Sequence, residues 1–157
     1  QIVDAVNIPV IAAGGIADGR GMAAAFMLGA QGMQLGTHFV TTKESIVHEN
    51  YKKAIIKARD IDSRVTGRST GHPVRALRNQ MTNKYLELEK NGAGFEELEM
   101  LTLGGLRKAV VDGDVVNGSV MAGQSAAMVK EELTCQELIQ KLVAETDALI
   151  GGLNFYE

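Results

Sequence analysis

The stretch IPVIAAGGIADG, residues 8–19, is the strongest indication of the fold class in the sequence. Its apolar run, Ile8–Ala13, predicts a parallel strand that is buried on both faces. Two adjacent glycines follow, and then Asp18, a predicted N-cap for a helix of small residues over Gly19–Leu28. We therefore expect a tight strand-to-helix connection, a loop that receives a phosphate group, or both.

A second strand is predicted shortly after this helix. Gly29 is a natural helix stop, and the stretch Gly32–Val40 is the next apolar segment. A strand–helix–strand unit of this length indicates a parallel sheet with a right-handed crossover. Two strands cannot bury such a sheet, and the chain begins QIVDAVN without an initiator methionine. We therefore expect the remaining strands upstream of Gln1 in a longer polypeptide.

The composition is that of an ordinary globular domain and excludes several classes of protein. Of the 157 residues, 45% are hydrophobic and 22% are charged, which predicts a real core and not disorder. A net charge of −3 gives no indication of a basic surface that would bind nucleic acid. No apolar run approaches the roughly 20 residues of a membrane span. The single cysteine, Cys135, excludes an internal disulfide and predicts a cytoplasmic protein with a structural or surface thiol.

Downstream of the parallel unit, the sequence predicts a mostly helical region. A capping box at Thr41–Glu44 is expected to begin a helix over residues 45–60, and an alternating stretch at residues 61–68 predicts an extra strand. Pro73 is placed at the start of a long helix that ends at Asn91-Gly92. The predicted apolar stripe of that helix consists of Val74, Leu77, Met81, Tyr85 and Leu88.

The last third of the chain predicts two more helical segments. Residues 95–111 form a weaker helical pattern that is broken at Gly104-Gly105. A capping box of Thr134 and Glu137 begins a closing helix. The predicted buried face of the closing helix consists of Leu138, Ile139, Leu142 and Val143.

Two glycine-bearing strand ends predict a phosphate site. Gly14-Gly15 follows the first strand, and Gly36-Thr37 lies at the end of the second. Glycines at the carboxyl ends of parallel strands let phosphate oxygens approach backbone N–H groups beside a helix N-terminus, and (β/α)₈ barrels use the loops after strands 7 and 8 in this way. The alternative is that the glycines only permit tight turns. A dinucleotide fingerprint at residues 19–24 is disfavoured, because it lies inside the predicted helix and no acidic residue ends the following strand.

Other polar residues are weaker candidates. Four of them surround the predicted Pro73 helix and could meet an anion, although a solvated face is the simpler interpretation: His72, Arg75, Arg78 and Asn79. His38 could face the core or the mouth of a barrel, and His48 is interpreted as a surface helix residue. The DGD sequence of residues 112–114 is interpreted as a turn. The spacing of His and Cys predicts no metal site.

The motifs together resemble the flavin-dependent family of nitronate monooxygenases and enoyl-acyl-carrier-protein reductases of the second type. Residues 8–40 carry the phosphate loops, and residues 42–62, 71–82 and 106–124 narrow the match to the reductase branch. The resemblance covers essentially the whole chain. It implies an α/β fold: the C-terminal part, strands 7 and 8, of an FMN-binding (β/α)₈ TIM barrel, with an additional mostly helical region.

The resemblance also implies a division of the chain and a set of site residues. Residues 1–44 would carry the FMN phosphate site, residues 45–118 a helical insertion or cap, and residues 119–157 the closing loop and helix of one domain. The implied cofactor-binding residues are Ala13, Gly14, Gly15, Gln34, Leu35, Gly36, Thr37, Met121 and Gln124. His72 and Arg75 would lie at the mouth for substrate or NAD(P)H. The proton donor matches nothing in this chain and is expected upstream of Gln1.

The implied reaction is NAD(P)H-dependent reduction of trans-2-enoyl-acyl-carrier-protein through FMN in bacterial fatty-acid elongation. NADH or NADPH would be the co-substrate and acyl carrier protein the partner, met by Arg68, Arg75 and Arg78. A homodimer is a candidate assembly. The alternatives are a nitronate monooxygenase that oxidises alkyl nitronates with oxygen, or a non-catalytic phosphate-binding half-barrel.

Overall fold

The structure is a computed structural model that describes residues 1–152. In this range the α-helices are α1 (Ile2–Ala5), α2 (Gly19–Met27), α3 (Thr37–Val40), α4 (Glu49–Ile56), α5 (Gln80–Lys90), α6 (Phe95–Thr102), α7 (Gly105–Val110) and α8 (Cys135–Gly151). The strands are β1 (Ile11–Ala13), β2 (Gly32–Gln34), β3 (Ser63–Thr66) and β4 (Val74–Leu77), and two 3₁₀ helices span Asp60–Asp62 and Gln124–Met128. No helix within residues 1–152 is both long and apolar enough to cross a membrane.

The predicted strand–helix–strand unit is confirmed. β1 and β2 pair in parallel, with Ile11 opposite Gly32 and Ala13 opposite Gln34, and α2 makes the crossover. Asp18 caps α2, since its carboxylate accepts hydrogen bonds from the backbone N–H groups of the first turn. These residues form only part of a sheet, and no closed barrel lies within the described range.

Both strands are shorter than the sequence predicts. β1 begins at Ile11, not Ile8, and Ile11 is 55% exposed instead of buried on both faces. Within the described range, β2 is the strand that pairs with β1, so the opposite edge of β1 has no strand against it. β2 ends at Gln34, because Gly36 adopts a helical backbone conformation (φ −94°, ψ −68°) and begins α3.

The predicted capping box at Thr41–Glu44 is wrong. Thr41 Oγ1 donates a hydrogen bond to the carbonyl of His38 at 2.7 Å, and Thr42 Oγ1 donates to that of Phe39 at 2.8 Å. The two hydroxyls therefore close α3 and do not begin a helix. The next helix, α4, begins later.

His48 provides the N-cap of α4, which begins at Glu49. Its Nδ1 accepts a hydrogen bond from the N–H of Asn50 at 3.1 Å. The predicted helix over residues 45–60 is correspondingly shortened to Glu49–Ile56. His48 is thus the N-cap residue of α4, whereas the sequence predicts only that it is a surface residue of the helix.

The predicted helix at Pro73 is also wrong at its start. β3 and β4 form an antiparallel hairpin in which Ser63 lies opposite Leu77 and Thr66 lies opposite Val74. Helix α5 begins only after Asn79, whose side-chain oxygen accepts from the N–H of Thr82 at 2.9 Å. The extra strand predicted at residues 61–68 is confirmed, although the sequence predicts a helix for its partner β4.

Residues 119–124 run back along β4, and we call them the return segment. The N–H of Leu77 donates to the carbonyl of Val120 at 2.8 Å, and the N–H of Ala122 donates to the carbonyl of Arg75 at 3.3 Å. An antiparallel bridge joins Ala76 to Met121. The return segment thus extends the hairpin on its far side.

Many of the buried apolar residues fall into two clusters. The larger one joins α4, β4, α7, the return segment and the turn after it: Tyr51, Ile55, Ala58, Leu77, Ala109, Val120, Ala122, Ala126 and Val129. The smaller one joins α5 to α6 through Met81, Tyr85 and Leu98. The predicted break at Gly104-Gly105 is confirmed, because it separates α6 from α7.

The closing helix α8 packs on α2. The predicted capping box of Thr134 and Glu137 is confirmed, and the buried stripe follows Leu138, Leu142 and Thr146. The predicted burial of Ile139 and Val143 is wrong, since these side chains are 51% and 41% exposed. Residues 153–157 of the predicted C-terminal segment lie outside the described range.

Candidate functional site

Two glycine loops meet at one edge of the parallel pair. Gly14 and Gly15 follow β1, and Leu35 and Gly36 follow β2. Because Ala13 lies opposite Gln34 in a parallel register, the two loops leave the sheet side by side. Gly14 and Gly15 have φ angles of +102° and +75°, which residues with a Cβ rarely adopt.

The space beside these glycines is open. A Cβ built at Gly14, Gly15 or Gly36 would meet no heavy atom of the described chain within 4 Å beyond its sequence neighbours. The glycines are therefore not explained by close packing of backbone against backbone. An open loop of this kind suits the approach of an anion to backbone N–H groups.

The N-terminus of α2 does not contribute to this site as the sequence suggests. The N–H of Gly19 donates to Glu145 Oε2 at 2.8 Å, and Asp18 Oδ1 accepts from the N–H groups of Arg20 and Gly21 at 3.0 and 3.1 Å. These donors are satisfied by carboxylates before any ligand arrives. The candidate phosphate site therefore rests on the two glycine loops and on the start of α3.

Thr37 connects the glycine loops to the return segment. Its Oγ1 accepts a hydrogen bond from the N–H of Gly123 at 2.8 Å. The predicted site residues on either side of Gly123 are thus held near the loop after β2. Met121 is 40% exposed, and Gln124 begins a 3₁₀ helix with an exposed side chain.

Tyr51 holds the return segment at a second point, and this role is not predicted from the sequence. Its hydroxyl donates to the carbonyl of Met121 at 2.6 Å. Burial raises the pKa of Tyr51 to about 12, so the phenol keeps its proton and remains a donor at neutral pH. A tyrosine on the buried face of an amphipathic helix looks like a core residue, and its long-range partner cannot be found from spacing.

His38 belongs to the core behind the glycine loop and not to an open mouth. It is 7% exposed, and its Nδ1 lies 3.0 Å from the carbonyl of Ala17, so the tautomer with a proton on Nδ1 satisfies that oxygen. Burial lowers the pKa of His38 below its usual value; the hydrogen bond to Ala17 and the charges of Glu131 and Glu145 partly offset this shift, and Lys141 adds to it. The neutral imidazole therefore stabilises the loop before α2 through its hydrogen bond to Ala17.

This histidine predicts a pH dependence of folding. The folded state favours the neutral ring, so the stabilisation from His38 is complete above the unfolded pKa of about 6.5 and is lost as the pH falls through the folded value. In His38→Asn, whose amide can still donate to Ala17, the free energy of unfolding should fall less between pH 7 and pH 5 than in the wild type. Chemical denaturation of both proteins across this range measures the difference. Parallel curves for the two proteins would contradict this role.

His72 and Arg75 lie on the hairpin and not at a helix start. The ring of His72 lies 5.9 Å from that of Phe95, between centroids. Arg75 is directed across the hairpin, where its guanidinium donates to Ser63 Oγ at 2.8 Å. Arg75 thus already has a partner within the hairpin.

The remaining polar candidates have structural partners. Asp114 Oδ1 accepts from the N–H groups of Val116 and Asn117 at 3.1 and 2.9 Å, which confirms the predicted turn. Asn79 Nδ2 donates to the carbonyls of Val115 and Gly118 at 2.9 and 2.7 Å.

Cys135 is the first residue of α8 and is partly buried. Its thiol donates to Thr42 Oγ1 at 3.5 Å. This contact fits the structural role that was predicted.

A cavity of about 380 Å³ lies between the hairpin, α5, α6, α7 and the return segment. Its apolar lining consists of Val74, Ala76, Met81, Phe95, Leu106 and Met121. We call it the hairpin cavity. His72 lies at its rim, so of the two residues predicted at a substrate mouth, this one faces a cavity.

The fold is similar to that of several solved structures. FabK from Thermotoga maritima superposes with a TM-score of 0.89 and 47% sequence identity, over 96% of this chain and 48% of that one. Nitroalkane oxidase from Streptomyces ansochromogenes superposes with a TM-score of 0.74 and 34% identity, over 96% of this chain and 43% of that one. The chain thus matches about half of each protein.

The sequence comparisons agree with the fold. A probable nitronate monooxygenase of Staphylococcus saprophyticus is 35% identical over 151 residues, which are 96% of this chain and 42% of that protein. The family model described as nitronate monooxygenase matches residues 1–145. On this evidence, the chain belongs to the nitronate monooxygenase family.

Proposed function

We propose that this chain holds the FMN phosphate in an NADH- or NADPH-dependent reductase of trans-2-enoyl thioesters carried by acyl carrier protein. The observation that supports the cofactor site is the pair of open glycine loops at the carboxyl ends of β1 and β2. The reductase is favoured over other activities of the family because identity to FabK, the type of reductase that the motifs resemble, is 47%, against 35% and 40% to probable nitronate monooxygenases of S. saprophyticus and S. aureus.

The residues present fit a phosphate group. The open space at Gly14, Gly15 and Gly36 is where Cβ atoms of other residues would stand. Backbone N–H groups at these positions and at the start of α3 would bind phosphate oxygens without placing a negative side chain against them. When bound, FMN supplies the hydride-transfer chemistry that amino-acid side chains lack.

The chain's own residues would orient the cofactor and shape the space beside it. Thr37 holds Gly123 of the return segment, and Tyr51 holds Met121. The return segment is thereby fixed at two points, at Gly123 beside the glycine loops and at Met121, whose side chain lines the hairpin cavity. A fixed wall of this kind positions reactants and excludes water from the reacting atoms.

The acyl carrier protein remains the proposed partner. Arg68 and Arg78 are exposed and could meet an acidic surface, whereas Arg75 is engaged with Ser63. Docking on this face would therefore depend more on Arg68 and Arg78 than on Arg75.

Substrate-dependent turnover of the full-length protein tests the proposed reaction. With crotonyl thioester present, we expect NADH or NADPH to be consumed in equal amount to the thioester reduced. The competing candidate is nitronate monooxygenase activity, which the curated relatives' names favour. Nitronate-dependent oxygen uptake without consumption of NAD(P)H, together with no reduction of crotonyl thioester, would refute the reductase.

A further inference from the structure

The hairpin cavity has a closed base and an open rim. Ala76, Met81 and Tyr85 are 2%, 6% and 7% exposed and lie at the base. Phe95 and Leu106 are 50% and 44% exposed and lie at the rim. A ligand that enters from solvent would therefore pass between apolar rim side chains before it reaches a buried apolar end.

The surface that lines the cavity is mostly apolar. Within residues 1–152, no side-chain nitrogen or oxygen that is shut off from solvent lacks a hydrogen-bond partner. Thr66 illustrates this, since its hydroxyl donates to the carbonyl of Val74 at 3.4 Å. Tyr85 and Ser119 also line the cavity, but burial of hydrocarbon against the apolar side chains of the base is favourable.

The cavity adjoins the glycine loops through the return segment. Met121 lines the cavity, and Gly123, two residues later, binds Thr37 beside the loop after β2. Two residues of extended chain span at most about 7 Å. A group anchored at the glycine loops and a group in the hairpin cavity would therefore lie on the two sides of one short segment.

We propose that the hairpin cavity binds the unbranched acyl chain of the thioester substrate, with its methyl end at Ala76 and Met81. The assignment rests on the proposed function for its substrate class. The volume of about 380 Å³ lies within the range of small-ligand pockets and suits a medium-length hydrocarbon chain. Selectivity for chain length would then come from this chain's own hairpin and helices.

Binding of saturated thioesters tests the assignment without turnover. We would measure the affinity of the full-length, flavin-loaded protein for decanoyl-pantetheine and butyryl-pantetheine by calorimetry. Each buried methylene should tighten binding about fourfold, so the decanoyl compound should bind at least about 100-fold more tightly. Val74→Trp and Leu106→Trp each place an indole at the rim, where the native residues are 37% and 44% exposed. In either variant, the difference in affinity between the two thioesters should fall to less than about tenfold.

Val111→Trp is the matched control. Val111 is 52% exposed at the end of α7 and does not line the cavity, so this variant should keep the wild-type ratio. Equal affinities of the wild type for the two thioesters, or an unchanged ratio in both rim variants, would overturn the assignment. The protein could prefer decanoyl-pantetheine to butyryl-pantetheine, lose this preference in the rim variants, and yet not reduce crotonyl thioester. This result would support the cavity assignment and refute the reductase. Reduction of crotonyl thioester by a protein that binds the two pantetheine thioesters equally would support the reductase and refute the cavity assignment.

Discussion

Gly15→Asp should lower the affinity of the full-length protein for FMN about 100-fold and leave the fold intact. A carboxylate about 5 Å from a phosphate charge costs on the order of 3 kcal/mol near a protein surface. The side chain enters open space, since a Cβ at Gly15 meets no heavy atom within 4 Å beyond its neighbours. Asp also tolerates a positive φ better than most residues. Fluorescence titration of the flavin-free protein with FMN measures the affinity.

Gly92→Asp is the control for backbone strain. Gly92 follows α5, has a φ of +81° and is likewise surrounded by open space. Both variants should lose a similar small amount of stability, but only Gly15→Asp should lose FMN. Equal FMN affinities in the two variants would place the phosphate elsewhere.

Gly19→Ala should destabilise the protein by about 3 kcal/mol. The new Cβ would stand 2.3 Å from Cβ of Glu145 and 2.8 Å from the backbone of Glu145 and Thr146. Backbone cannot move aside as a flexible side-chain end can, so α2 and α8 must separate. The separation also breaks the hydrogen bond from the N–H of Gly19 to Glu145. Urea denaturation of the full-length protein, with the midpoint and slope compared to wild type, measures the loss.

Gly21→Ala provides the internal comparison on the same helix. Its Cβ would lie 3.5 Å from Ile16, an ordinary contact distance. Alanine is favoured over glycine inside a helix by about 1 kcal/mol. This variant should therefore be as stable as the wild type or slightly more stable. A loss of stability similar to that of Gly19→Ala would show that the α2–α8 contact is not the cause.

The parallel unit and its glycine loops could be predicted because their determinants are local. An apolar run, two glycines and Asp18 follow one another within residues 8–19, and the capping box of α8 lies within four residues. The same locality explains why the glycines were identified as the candidate site. Whether they bind phosphate is a chemical inference that the open space at Gly15 supports.

The hairpin could not be predicted because its determinants are distant. Val74, Leu77 and Met81 have helical spacing, and the segment VRAL can satisfy either pattern. Its backbone groups are paired in space with β3 and with Val120 of the return segment, and such tertiary pairing overrides local propensity. Asn79 is the local indication that α5 begins after residue 79 and not at Pro73, since asparagine is a strong N-cap residue.

The contacts that complete the site are separated even further along the chain. Gly123 and Thr37 are 86 positions apart, and Gly19 and Glu145 are 126 positions apart. No spacing rule connects such pairs, because only the packing of α8 on α2 and of the return segment on α3 brings them together.

The carboxylate of Glu145 at the N-terminus of α2 also has a consequence for the order of events during synthesis. Ribosomes add about 5–20 residues per second, so the 126 positions between Gly19 and Glu145 correspond to roughly 6–25 seconds of translation. During this interval α2, which follows the first glycine loop, exists without the helix that packs on it. We therefore expect the proposed phosphate site to mature only after α8 has left the ribosome, so that synthesis of α8 would precede any binding of flavin.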